Sequence, residues 1–168
     1  GFVIQKLIKL MDNNNYNDKL IALDALYAIA DGGHKFSRSA IESIVRQLKY
    51  RKNEIKKDAI LVLGKSAKNL DYFPRVAIKG IVSMLADHSI YVRNAAVLAI
   101  KSFVLNKHKL PGSAIAKIVK QLKHPNNWFR HTALQSYFLL ISKANQNHSK
   151  IEAEKQLEII NGLIRYLG

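Results

Sequence analysis

The groups in this 168-residue chain that could act as general acids, general bases or metal ligands are six histidines and twelve acidic residues. His34, His88, His108, His124, His131 and His148 are scattered so that no two stand four residues apart, the spacing that sets two imidazoles on one helix face around a metal ion. There is no His-Glu pair. There is also no cysteine, which excludes thiol catalysis, a disulfide scaffold and Cys-ligated zinc or iron–sulfur centres. No Gly-rich stretch is placed to cradle a phosphate, and Asp31-Gly32-Gly33 reads instead as a helix stop. The sequence therefore nominates no catalytic residue, no metal ligand and no cofactor. What it offers is charge, with 27 Lys and Arg against 12 acidic residues for a net +15.

A field of that sign favours an anionic partner, whether nucleic acid, acidic protein or lipid surface. The charge is unevenly spread. Residues 1–37 are neutral, each of the next three 37-residue stretches carries +5, and Asp87 is the one acidic residue between Arg75 and Lys150. Trp128 lies in the run Asn127-Trp128-Phe129-Arg130-His131, a setting in which it could stack on a base or anchor a partner peptide. The plainer reading of Trp128 is a partly buried residue covering the adjacent turn. The plainer reading of the charge is a solvated surface that keeps the protein soluble.

These side chains must be positioned by an internal repeat. Ile44-Val45 recurs as Ile81-Val82 and Ile118-Val119, 37 residues apart each time, with Leu7-Ile8 one period upstream. Ala22, Ala59, Ala96 and Ala133 keep the same register, as do Met11, Leu48, Leu85 and Leu122. A cation recurs as Lys19, Lys56, Arg93 and Arg130. Each period holds two helical patterns. The first is Ile41, Ile44, Val45 and Leu48, the i, i+3, i+4, i+7 mark of one buried stripe. The second runs through Ile55, Ala59, Ile60 and Leu63, where the small alanine suits a close helix–helix approach.

Punctuation agrees with this division. Pro74 and Pro111 stand where first helices should start, Ser39-x-x-Glu42 is a candidate capping box, and Phe36, Phe73 and Leu110 are placed as hydrophobic staples. The chain thus reads as all-α, with four helical hairpins at 1–37, 38–74, 75–111 and 112–148. A polar spacer and a fifth first helix near 156–168 follow. Its length and 48% apolar content suit a single domain with a real core, and no apolar run approaches the roughly 18 residues of a membrane span. The start, Gly1-Phe2-Val3-Ile4, has neither an initiator Met nor a signal layout. The chain is therefore expected to be a piece of a longer solenoid, in an intracellular setting.

The stretch Leu85-Ala86-Asp87-His88-Ser89-Ile90-Tyr91-Val92-Arg93-Asn94-Ala95-Ala96, with Val62-Leu63-Gly64 one repeat earlier, resembles the HEAT-like repeat, in the short form also found in phycobilin lyase subunits. Asn13 and His124 stand where the family pattern has the turn Asp, and Ile55-Lys56 where it has Val-Arg. The resemblance implies an α-α superhelix of right-handed twist whose second helices line a concave face. It also implies that Arg93 and Arg130 are structural, bonded to the turn Asp and nearby carbonyls. HEAT-like alkylpurine DNA glycosylases need a carboxylate framed by aromatic residues. Here Asp24 and Asp58 lie two or three repeats from Trp128, so that activity is not expected.

In such a stack the concave face carries Lys57, Lys65, Lys68 and Lys101 with Asn94, His131 and Gln135. Arg46, Lys79, Lys117 and Lys120 fall on the outer face. The expected function is a non-enzymatic binding scaffold that presents a basic curved surface to a protein partner with an acidic surface. Lys57, Lys65, Lys68, Lys101, His131 and Trp128 form the contact set. Nucleic-acid binding through the same side chains is the alternative.

Overall fold

The computed structural model describes residues 1–144. These form eight α-helices: α1 (Phe2–Asp12), α2 (Tyr16–Asp31), α3 (Arg38–Arg46), α4 (Asn53–Ser66), α5 (Arg75–Ser83), α6 (Ile90–Leu105), α7 (Gly112–Gln121) and α8 (Asn127–Ala144). Short 3-10 turns over Gln47–Lys49, Ala67–Asn69 and Met84–Ala86 extend α3, α4 and α5. Odd-numbered helices stack on one another in a first layer and even-numbered helices in a second, with each hairpin bridging the two. The four expected hairpins are thus present. The expected helix near 156–168 lies outside the described residues.

The stripes read from the sequence form one continuous core. Ile41, Ile44, Leu48, Ile55, Ala59, Ile60 and Leu63 of the second repeat are buried, as are Ile78, Ile81, Val82, Leu85, Val92, Ala96 and Ile100 of the third. Each such Ile or Leu contributes about 1.5–3 kcal/mol relative to exposure. Coverage thins in the first and fourth repeats, where Ile4 and Ile8 are half-buried and Ile115 is exposed, because each has a neighbour on one side only within the described stack.

A glycine sets a close approach within the second layer. A Cβ built on Gly64 of α4 would lie 3.0 Å from both Cα and Cβ of Ala99 on α6, and Ser102 Oγ donates to the Gly64 carbonyl at 2.6 Å. Glycine and alanine are therefore what let α4 and α6 approach so closely. The first layer leaves an open groove between α3 and α5.

Helix ends correct three sequence expectations. The cap of α3 is Ser37, whose Oγ accepts from Ala40 N–H at 3.2 Å, while Ser39 lies inside the helix and Glu42 bonds Arg38 instead of closing a box. Pro74 and Pro111 are themselves the N-cap residues of α5 and α7, one position before the expected place, and their carbonyls accept the first helical bonds. Arg93 donates to the Asp87 and His88 carbonyls at 2.9 and 3.0 Å, and Arg130 to those of His124 and Pro125, both at 2.8 Å. The Asp87 carboxylate, however, meets Lys56 of the preceding repeat at 2.7 Å, not Arg93. The expected stop also forms: α2 ends at Asp31, and Gly33 takes the left-handed conformation, φ 88°. Lys107 holds the same register with φ 64°.

The departures at the turn keep one hydrogen bond. Asn13 Oδ1 accepts from Asn15 N–H at 2.8 Å, Asp87 Oδ1 from Ser89 N–H at 2.9 Å, and His124 Nδ1 from Asn126 N–H at 3.1 Å. Three chemically different residues thus place an acceptor at one point of the hairpin.

Candidate binding surface on the second-helix layer

The nominated residues fall on α4 with its 3-10 extension, α6 and α8, but at two levels. Lys57, Trp128 and His131 stand near the N-terminal ends of their helices, whereas Lys65, Lys68 and Lys101 stand toward the C-terminal ends. Eight residues separate Lys57 from Lys65, roughly 12 Å along the axis. No single cluster holds all six.

The C-terminal level is organised around a carboxylate. Lys65 Nζ lies 2.9 Å and Lys68 Nζ 3.3 Å from Asp31 Oδ1, and Lys68 also donates to the Asp31 carbonyl at 3.0 Å. The two lysines hold the Asp31 carboxyl below its ordinary value, Lys65 contributing first. Asp31 and the Tyr27 hydroxyl in turn raise Lys65, whose ammonium lies 5.2 Å from the Tyr27 ring centroid. Asp31 ends α2, where a negative charge opposes the helix dipole, so its local setting disfavours it and Lys65 and Lys68 offset that cost.

Beside this cluster is a notch of about 230 Å³ lined by Tyr27, Ile60, Leu61, Gly64, Lys65, Leu98, Ala99 and Ser102. Leu98 is 59% exposed and Leu105, one turn above Lys101, is 64% exposed. Lys101 is exposed, and among the described residues it has no ion-pair partner. The level thus combines an apolar recess with three cations.

The N-terminal level is aromatic. Trp128 is 68% exposed, which sets aside the partly buried reading, and Tyr91 at the same register one repeat earlier is 72% exposed. The Arg93 guanidinium lies 5.9 Å from the Trp128 ring centroid. His131 is exposed one turn further along α8. Lys57 sits against its neighbour Asp58 at 3.2 Å. Burial raises the Asp58 carboxyl above its usual value, and Lys57 draws it part of the way back.

Sequence reasoning missed Asp31, Tyr27, Gly64 and Leu98 as parts of this surface. Two signals were available. Asp31 precedes Lys68 by one period, which puts opposite charges on adjacent helix ends, and Gly64 replaces the Tyr27 and Lys101 of its register. Among the described residues no three His, Asp or Glu side chains are grouped to hold a metal ion, and no helix is long and apolar enough to cross a membrane.

No family model matches the chain, and no curated protein matches it. Solved structures do. An engineered protein aligns over 93% of this chain and 69% of its own at 16% identity, with a TM-score of 0.61. Computationally designed armadillo repeat proteins for modular peptide recognition align over 93% and 70% at 18% identity, TM-score 0.59. The fold is an armadillo-like helical-repeat solenoid. A designed armadillo repeat protein in complex with the peptide (KR)4 aligns with the solenoid over 95% of this chain and 84% of its own, at 19% identity and a TM-score of 0.51. The solenoid spans 61% of a further engineered protein, at 21% identity and a TM-score of 0.52.

Proposed function

We propose that the second-helix face of this solenoid is a non-enzymatic binding scaffold for an extended, acidic peptide segment of a partner protein. The observation that carries the reading is Asp31, a carboxylate seated between Lys65 and Lys68 beside the apolar notch at Gly64. It marks where a ligand carboxylate fits. Leu61 and Leu98 receive an apolar side chain next to it, and Lys101 takes a further carboxylate. The armadillo scaffold solved with a basic (KR)4 peptide supports peptide recognition on this architecture. The +15 charge here calls for the opposite sign of ligand. Tyr91 and Trp128 extend the surface as aromatic contacts with His131 and Lys57 beside them.

The test is anisotropy of fluorescein-labelled (EL)4, (KR)4 and single-stranded DNA against the whole chain, at about 50 and 200 mM salt. The reading expects saturable binding of (EL)4, none of (KR)4, and weakening in Lys65→Ser/Lys68→Ser. Asp31→Asn removes the resident competitor and should tighten (EL)4 by about fivefold, the size of a surface ion pair. DNA bound more tightly than (EL)4, with a steep salt slope, would replace the reading by nucleic-acid recognition.

A further inference from the structure

A second recess lies on the opposite face. About 440 Å³ opens between α3 and α5 in the first-helix layer, away from the notch at Gly64. One wall is Glu42, Val45, Arg46 and Lys49; the other is Val76, Lys79, Gly80 and Ser83. Both are i, i+3, i+4, i+7 series, so each wall is a straight stripe about two turns, or roughly 10 Å, long. The floor is apolar. Val45 is half-buried, Val76 is 47% exposed, and Gly80 contributes no side chain, since a Cβ there would meet Leu48 Cδ1 at 3.0 Å.

The rim is cationic. Lys49 and Lys79 are exposed and, among the described residues, have no ion-pair partner. The one carboxylate of the groove, Glu42, is held by Arg38 Nε at 2.9 Å, and Arg46 is turned toward Asp12 at 3.1 Å. On the far side Lys117 donates to Ser83 at 2.8 Å and bounds the groove toward α7.

We propose that this outer groove docks an acidic amphipathic helix of a partner protein, independently of the second-helix face. Two parallel helical stripes receive the apolar ridge of a third helix, as ridges enter grooves in any helical layer. An extended strand finds no unpaired backbone edge here, because the main chains of α3 and α5 are bonded within their helices. A nucleic acid gains nothing from the Val45–Val76 floor. Carboxylates flanking the partner's apolar ridge meet Lys49 and Lys79.

The probe is a fluorescein-labelled 18-residue peptide with Leu at helical spacing and Glu on both flanks, beside a scrambled peptide of equal composition. Binding to the whole chain is followed by anisotropy, and folding of each variant by circular dichroism. The proposal expects saturable binding of the amphipathic peptide, weaker binding of the scramble, and at least a tenfold loss in both Val76→Asp and Lys49→Glu/Lys79→Glu. Lys65→Ser/Lys68→Ser should bind it as the unaltered chain does. No binding, loss in the Lys65/Lys68 variant, or indifference to Val76→Asp would overturn it. So would anionic vesicles or duplex DNA that bind through Lys49 and Lys79 where the peptide does not. Because (EL)4 reads the other face, failure here leaves the first reading standing, and the reverse also holds.

Discussion

The two halves of the stack are joined by different chemistry. Between the first and second repeats run the ion pairs Lys35–Asp71, Arg46–Asp12, and Lys65 and Lys68 with Asp31. One pair, Lys56–Asp87, joins the second repeat to the third. Among the described residues none joins the third to the fourth, and residues 88–144 contain nine Lys and Arg with no Asp or Glu. There the buried Arg93 and the half-buried Arg130 bond backbone carbonyls within their own hairpins, and the repeats meet through apolar packing, the Arg93 guanidinium against the Trp128 and Phe129 rings, and the Lys117–Ser83 hydrogen bond. The lesson is that a recurrent basic residue and a high net charge are separate matters. The recurrent cation, buried at Lys19 and Arg93 and half-buried at Lys56 and Arg130, belongs to the architecture, while the uncompensated field belongs to surface lysines of the later repeats.

The comparison is most directly broken at Arg93, which is 2% exposed. Arg93→Ala strips two carbonyls of a charged donor and should cost about 3 kcal/mol in urea unfolding. A loss below about 1 kcal/mol would mean that apolar packing alone carries the later half. Next comes Asp87→Asn, which keeps an acceptor for Ser89 N–H but removes the charge opposite Lys56. With that pair largely shielded from solvent, the expected cost is about 1–2 kcal/mol, read from the same unfolding curves. The smallest effect belongs to the exposed Asp31. Its folded carboxyl lies below the ordinary 3.8, so its stabilisation is complete above that value and lost as pH falls through the lowered one. Urea midpoints of the unaltered chain and Asp31→Asn should therefore differ slightly at neutral pH and converge well below pH 3.8. A gap that persists through the acid limb would contradict the pairing.

Much of this fold is legible in the sequence because a solenoid repeats its constraints. The period of 37, the apolar stripes and the register of Ala22, Ala59, Ala96 and Ala133 all specify two helices per hairpin, and those alanines are fully buried. Helix starts are less legible. Ser37 and Ser39 are both plausible caps, and only the backbone distinguishes which hydroxyl faces a free N–H. The placement of Lys65, Lys68 and Lys101 on the second helices follows from periodicity, but their partners do not. Whether Lys65 reaches Asp31 depends on the rotation between repeats and on side-chain length, neither of which a spacing encodes. His124 teaches the converse. It reads as a departure from the turn pattern, yet its Nδ1 supplies the acceptor that Asp87 supplies elsewhere.

The close seating of Gly64 on Ala99 has a mechanical consequence. With no free space left at that point, neither helix can move toward the other there, and relative motion of the second and third repeats must pivot about the Gly64–Ala99 contact. A side chain placed on Gly64 would pry α4 from α6 and shift the two repeats as blocks.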